Sequence, residues 1–563
     1  MKPLSVLIFI LAVAGFSCKL EELEKIDPCA ITPPQALFTP DKSSGTVPCT
    51  VSFTNNSQNA VQFSWDFGDG TSSSLSAPTH VYDKVGNFTV TLVAEDAEGC
   101  SATVSQVINV NATLILPVAA FSFDLGADNG YAPAKVKFTN TSTNGESFLW
   151  TFSDGNTSTE ASPLHEYKFP GEYTVLLKAT NAYGSNQTSK TVSIKPIKFE
   201  QFFGGNGDEV GTSVKQTSDG GYIVVGIQDP TASNDQALML KYNRFGVKEW
   251  ESNYSGAYDD DLNDVVESSI SGYYAVGNSR TNSGGWNDDI LVMRRNLDGS
   301  GGFERFIGGT NDEVARAILP VSGGFLVAGY TSPTNTVHKK DAYLVKVDYD
   351  GFKVWDKTFG GAADDELVAI TPTSDGGFIF AGYSEVSGQS TQVYVLKTDN
   401  LGNKQWELTY GGTLFDRGER VVEISPGEFL VLGQSTNPQG SDALVLRLTD
   451  NVSSGYISWE KRYGKSQVDH INDAAKAADG NIVLVGETIG DSSNGVPDDL
   501  YLLKINTDGD FMWEKSWGLP STFLWGYSVQ ATSDGGLIIA GGGPHGTNSE
   551  DVYLVKTDSD GNR

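Results

Sequence analysis

Seven aromatic residues stand five positions before a glycine or serine, and successive ones are 51 to 54 residues apart. They are Phe199, Trp250, Phe303, Trp355, Trp406, Trp459 and Trp513. A phrase returning at such an interval marks an array of one supersecondary unit, because each unit can bury its apolar face only against its neighbour. Residues present in every copy are then explained first by the scaffold. Individuality has to be sought where the phrase breaks.

The third copy shows the unit most clearly. Asp312 to Leu319 reads as a first strand, Ser322-Gly323-Gly324 as a tight turn, and Phe325 to Gly329 as a short apolar strand buried on both faces. After a polar loop of variable length, Asp341 to Val347 is a third strand. Asp350-Gly351 is a hairpin signal, and Val354 to Phe359 is the fourth strand. Four antiparallel strands per unit predict the blade of a β-propeller. The turn after the first strand also occurs seven times, from Asp219-Gly220-Gly221 to Asp534-Gly535-Gly536. Phe199 precedes the first of these turns, and Val552 to Lys556 is a third strand with only a turn after it. The expectation is a ring in which Lys198 to Phe203 supplies the last blade's outer strand, leaving no open sheet edge. The repeat resembles bacterial propeller repeats rich in Asp-Gly-Gly and in a Lys-x-Asp-x-x-Gly-x-x-x-Trp phrase, here Lys397 to Trp406 and Lys504 to Trp513. That resemblance implies architecture and no particular activity.

The chain has 563 residues, which calls for several domains. Its 70 acidic against 39 basic residues give a net charge of −31, which argues against nucleic acid and anionic lipid surfaces as partners. Five histidines and four cysteines leave little material for chemistry based on either. The N-terminus reads as a targeting segment: Lys2, then an apolar run from Leu4 to Phe16 too short to span a bilayer. Gly15-Phe16-Ser17-Cys18 resembles a bacterial lipoprotein processing box, which implies cleavage before Cys18 and its lipidation. Glu21, Glu22 and Glu24 resemble the surface-export signal of Bacteroidota lipoproteins. The expected order is a signal peptide at 1–17, a tether at 18–35, two sandwiches at 36–113 and 117–196, and a seven-bladed propeller at 198–563.

In the first sandwich, Trp65 and Phe67 share one strand face before the sharp Gly68-Asp69-Gly70 turn, an arrangement that fits an immunoglobulin-like β-sandwich. Trp65-Asp66-Phe67-Gly68-Asp69-Gly70, His80-Val81-Tyr82 and Gly86 to Val90 strongly resemble the PKD domain family. Trp150-Thr151-Phe152-Ser153-Asp154-Gly155, His165-Glu166-Tyr167 and Gly171 to Val175 repeat the pattern, with one Asp and one Gly of the turn replaced. The resemblance implies an extracellular spacer or binding role without catalysis. His80 and His165 hold equivalent places and read as structural. The immunoglobulin-like topology so implied puts Cys29 and Cys100 at one pole and Cys49 at the other. It favours a Cys29–Cys100 disulfide and leaves Cys49–Cys100 open.

Two kinds of site remain. Asp208, Asp259, Asp312, Asp364, Asp416 and Asp469 stand near the start of successive first strands. They could hold Ca²⁺ at a channel mouth, or they could satisfy backbone amides where the chain begins each blade. Trp286, Phe523, Trp525 and His545 lie where the repeat departs from its pattern and are candidate ligand contacts. No nucleophile elbow, histidine-rich metal motif or phosphate loop is visible. The expectation is a monomeric, lipid-anchored outer-membrane protein that binds a glycan or an envelope protein and does not catalyse. The alternatives are a glycan-active propeller hydrolase or lyase, and a structural subunit of an envelope assembly.

Overall fold

A computed structural model describes residue 29 and residues 32–563, except 206, 230–233, 257, 281–286, 334–338, 362–363, 386–389, 438–439, 465–468, 489–498, 519–522 and 545–548. The described elements are β-strands joined by turns, with no α-helix among them. The chain divides into two compact units. The first comprises residues up to 118 with 142–147 and 179–186, and the second holds the remainder.

In the first unit a three-stranded sheet of Phe38–Pro40, Cys49–Asn55 and Thr79–Tyr82 faces a five-stranded sheet that includes Gln62–Asp66, Gly86–Glu95 and Ser101–Asn111. Phe38, Phe53, Trp65, Tyr82 and Leu92 fill the space between, where alternate residues of each strand point inward. The Trp65 indole donates to the carbonyl of Leu75 at 3.0 Å. His80 stacks on Phe67 at 4.2 Å and bonds Asp69 at 2.7 Å. The second sandwich repeats this: His165 stacks on Phe152 at 3.9 Å and bonds Asp154 at 2.7 Å. Its altered turn is built by Ser153 in place of Gly68. Ser153 adopts φ 61° and donates its hydroxyl to the carbonyl of Thr174 at 2.5 Å. Cys29 is bonded to Cys100, with Cα atoms 5.6 Å apart, and Cys49 is a buried free thiol.

Residues 199–557 form seven four-stranded antiparallel sheets. Six are contiguous in sequence, beginning with the sheet of Asp208–Gln216, Tyr222–Asp229, Gln236–Tyr242 and Lys248–Tyr254. The seventh joins Trp525–Ala531, Leu537–Pro544 and Glu550–Thr557 to Phe199–Phe203, which pairs antiparallel with Val552 to Lys556. Each sheet buries apolar side chains against the next, and the seventh does so against the first through Val214, Tyr222, Leu238, Ile538 and Val552. The order of packing is therefore cyclic.

Two side-chain devices recur. The aromatic residue of each outer strand lies on the turn glycine of the following sheet: Phe199 on Gly246, Trp250 on Gly299, Phe303 on Gly351, Trp355 on Gly402, Trp406 on Gly455, Trp459 on Gly509 and Trp513 on Gly561. A Cβ at any of these glycines would come closer than 3.0 Å to the ring. The second device joins the two halves of the repeated phrase within four of the sheets. Lys241, Lys397, Lys504 and Lys556 are almost fully buried and pair with Asp219, Asp375, Asp479 and Asp534 of the Asp-Gly turns at 2.8 to 3.0 Å. Burial pushes the Asp375 carboxyl up, but Lys397, Thr373 and the Gly377 amide together hold it down to about 2.

Gly402 has φ 74°, and a Cβ there would lie 2.7 Å from the Trp355 ring. Gly402→Ala should destabilise the protein by about 1–3 kcal/mol, through left-handed strain and overpacking. Gly361→Ala, where nothing lies within 4 Å, should change stability by less than about 0.5 kcal/mol. Urea midpoints of the two variants check this.

Candidate functional site

The first, or inner, strand of each sheet carries a β-bulge at the same place, and that of the fifth sheet has a second register shift between Glu423 and Ser425. A bulge leaves one extra residue outside the ladder and re-aims its side chain. The seven extra residues are Thr212, Asn263, Arg316, Val368, Glu419, Asn472 and Tyr527, and all seven line one cavity of 240 Å³. Three of them tie neighbouring sheets together. Thr212 donates to the carbonyl of Leu262 at 2.6 Å, Asn263 to Ala315 at 2.9 Å and Asn472 to Gly526 at 2.9 Å. Below the bulges, Lys215 meets Asp264 at 3.2 Å and Arg420 meets Asp473 at 3.4 Å.

One strand step from the bulge, toward the start of the inner strand, stand Val210, Asp261, Val314, Glu366, Arg417, His470 and Trp525. Period-two alternation puts them on the same side as the bulge residues. Glu366 is completely buried and takes Arg316 at 2.7 Å, Lys340 at 3.1 Å and the Tyr383 hydroxyl. Burial opposes its charge, but Arg316 and Lys340 hold its carboxyl below the usual range. Glu419 behaves oppositely. Burial pushes it up to about 7, assisted by Glu366 and Asp473 and opposed by Arg417, which lies 2.6 Å away. Asp261 is pushed up to about 6, chiefly by burial, although Asn278 donates to it at 3.0 Å. His470 bonds Glu487 at 3.0 Å, and Phe523 and Trp525 stack at 4.5 Å.

The six aspartates do not form one ring. Asp208, Asp259, Asp312 and Asp364 each accept a backbone N–H from the preceding sheet, from Glu550, Asp235, Asp288 and Lys340 respectively. Asp416 stands one residue further along, where Glu209, Glu313 and Asp365 stand in other copies, and these accept the amides of Gly412, Gly205, Gly309 and Gly361. Asp469 occupies that same place by register. Among the described residues no three His, Cys, Asp or Glu side chains are grouped to hold a metal. Leu524, fully buried, replaces the capping acid in the seventh sheet. Cys18, Trp286 and His545 lie outside the described residues. The bulge residues were not singled out in the sequence. Their column differs in almost every copy, but so do the columns on either side, such as Gly211, Leu262, Ala315 and Ile471 before it, so no sequence signal marks it.

Residues 31–111 and 116–196 each match the family model described as PKD domain. The chain carries two PKD domains. Among curated relatives, pre-pro-metalloprotease PrtV of Vibrio cholerae is 42% identical over 65 residues, covering 12% of this chain and 7% of that protein. Collagenase ColA of Bacillus cereus is 36% identical over 85 residues, covering 14% and 9%. The chain thus spans less than a tenth of either relative. The solved PKD1 domain of Vibrio anguillarum Epp is 30% identical, with coverage of 15% of this chain and 98% of that one and a TM-score of 0.13. The two His–Asp pairs described above are thus internal to PKD domains.

A carboxyl with a raised folded pKa keeps a proton that the unfolded chain releases at about pH 4.3. Its stabilising effect is complete below that pH and is lost as pH rises through about 7 for Glu419. Glu419→Gln should therefore gain on wild type as pH rises from 5 to 8, by roughly 2–3 kcal/mol. Chemical denaturation at pH 5, 6, 7 and 8 measures the difference.

Proposed function

We propose that residues 198–563 form a seven-bladed β-propeller, and that the protein is a non-catalytic binding module whose ligand enters the ring at the bulge residues. The observation that carries this reading is the single cavity lined by one bulge residue from each of the seven sheets. Around it the repeated residues are occupied in holding the sheets together. The lining residues differ in size, charge and hydrogen-bonding capacity, as a recognition surface on a rigid scaffold requires.

The other side of the sheets is engaged differently. Arg244, in a turn between third and fourth strands, donates to Asp128 at 3.0 Å and to the carbonyls of Tyr131 and Ala132 at 3.2 and 2.7 Å. Phe169 of the second PKD domain packs by Gly535, in a turn between first and second strands. The second PKD domain thus meets the side of these turns, and the starts of the inner strands point away from it. In this reading a lipid on Cys18 holds the protein at the outer membrane, the PKD domains act as spacers, and the propeller presents its free face to a glycan or an envelope protein.

Deleting residues 198–203 should lower the thermal midpoint by more than 10 °C, since it removes the strand that pairs with Val552 to Lys556. An unchanged midpoint would refute the closed ring. For binding, the intact protein on a glycan array and in an envelope pull-down should retain a ligand. Trp525→Ala should weaken retention about tenfold, as loss of one aromatic contact does. Silence in both assays would leave a structural role.

One observation favours an enzyme instead: Glu366 and Glu419 come from different sheets, and their surroundings push their pKa values apart. Release of new reducing ends from a bound glycan, abolished by Glu419→Gln, would decide for it.

A further inference from the structure

We propose that the ligand is a saccharide bearing a carboxylate, a uronate-type sugar, held by Arg316, Lys340 and Arg417. This rests on the binding role proposed above and names its ligand class.

In a chain of net charge −31, three cations, Arg316 and Lys340 of the third sheet and Arg417 of the fifth, flank Glu366 and Tyr383 of the fourth. Tyrosine rings support all three: Lys340 and Arg316 lie 4.0 and 5.9 Å from the Tyr330 ring centre, and Arg417 lies 4.7 Å from that of Tyr383. Such stacking orients a cation while leaving its outer edge open. Glu366, the carboxylate that Arg316 and Lys340 share, has no exposure, whereas Arg316, Lys340 and Arg417 keep 34%, 31% and 29% of their side-chain surface in solvent. Among the described residues, the terminal guanidinium nitrogens of Arg316 and Arg417 make no hydrogen bond. Arg316 uses its Nε on Glu366, and Arg417 presents its Nε to Glu419. Two planar pairs of N–H donors are thus left on partly exposed side chains, each held by a buried carboxylate. A planar carboxylate is the group that matches such a fork.

The rest of the site fits a sugar better than a peptide. Asp261, with Asn278, offers acceptors for hydroxyl groups. In the seventh sheet the stacked Phe523 and Trp525, the latter 6.5 Å from the ring of the cavity residue Tyr527, present an apolar face of the kind on which a pyranose ring packs. A uronate joins these features in one residue: a carboxylate, several hydroxyls and a C–H face.

The test uses the intact protein and three probes in calorimetric titration: trigalacturonate, the neutral trigalactoside, and a hexaglutamate peptide. Trigalacturonate should bind at least tenfold more tightly than the neutral sugar. Its affinity should fall about tenfold from 50 to 500 mM NaCl and about tenfold in Arg417→Gln, the usual effect of one charge-assisted contact. The salt series keeps the proposal falsifiable should the variant not fold. Equal binding of both sugars would overturn the uronate class while leaving glycan binding intact. Hexaglutamate binding as tightly as trigalacturonate would overturn the sugar in favour of an acidic protein. Binding of none of the three would overturn this proposal, whereas the binding role itself falls only if the array and pull-down are also silent.

Discussion

The contact on which the seven sheets depend is an aromatic ring laid on a glycine. Each outer strand offers Phe or Trp, and the next sheet offers a turn that passes so close that no Cβ can be placed there. Six of the seven glycines have φ between 71 and 79°, so the same residue meets a conformational and a steric demand. The contact links neighbouring sheets rather than strands within one sheet. No sheet satisfies it alone, and seven are satisfied because Phe199 reaches Gly246 and Trp513 reaches Gly561. The interval between aromatics varies from 51 to 54 because the loops absorb the difference, whereas a shift of the aromatic by one residue along its own strand would turn the ring to the other face.

Once sheets are held at their outer strands and turns, their inner strands are free to vary. The bulge exploits that freedom. It takes one residue out of the ladder in every sheet, so its side chain carries no pairing duty. Where the side chain is small and polar, as in Thr212, Asn263 and Asn472, it ties one sheet to the next. Where it is Arg316, Glu419 or Tyr527, it brings charge or aromatic surface into the cavity.

The all-β class, the two PKD patterns and the seven phrases could be read from the sequence because each rests on residues with a fixed spacing. Trp65, His80 and Asp69 have the same partners as Trp150, His165 and Asp154, so one copy explains the other. The acidic series was harder. In sequence, Asp208 and Asp416 look like one column, but they differ by one residue in register, and one residue changes the face of a strand. One therefore accepts an amide of the preceding sheet beside its third strand, while the other caps the connection that leads into its own strand. The bulges could not be read at all. A bulge is set by backbone pairing, and Thr, Asn, Arg, Val, Glu and Tyr share no property that would announce it.

The cost of the site can be located. Glu419 is buried with Arg417 as its near cation and with Glu366 and Asp473 acting against its charge. A scaffold under selection only for stability would replace it with an apolar residue like Val368, its counterpart one sheet earlier. Glu366 shows the opposite solution: the same chemical group at an equally buried place is held ionised by two cations and a tyrosine hydroxyl. Two carboxyls treated so differently on the first strands of neighbouring sheets are not required by packing, because sheets without either are packed as well. The aromatic–glycine contacts supply the rigidity that keeps such an unfavourable arrangement in place.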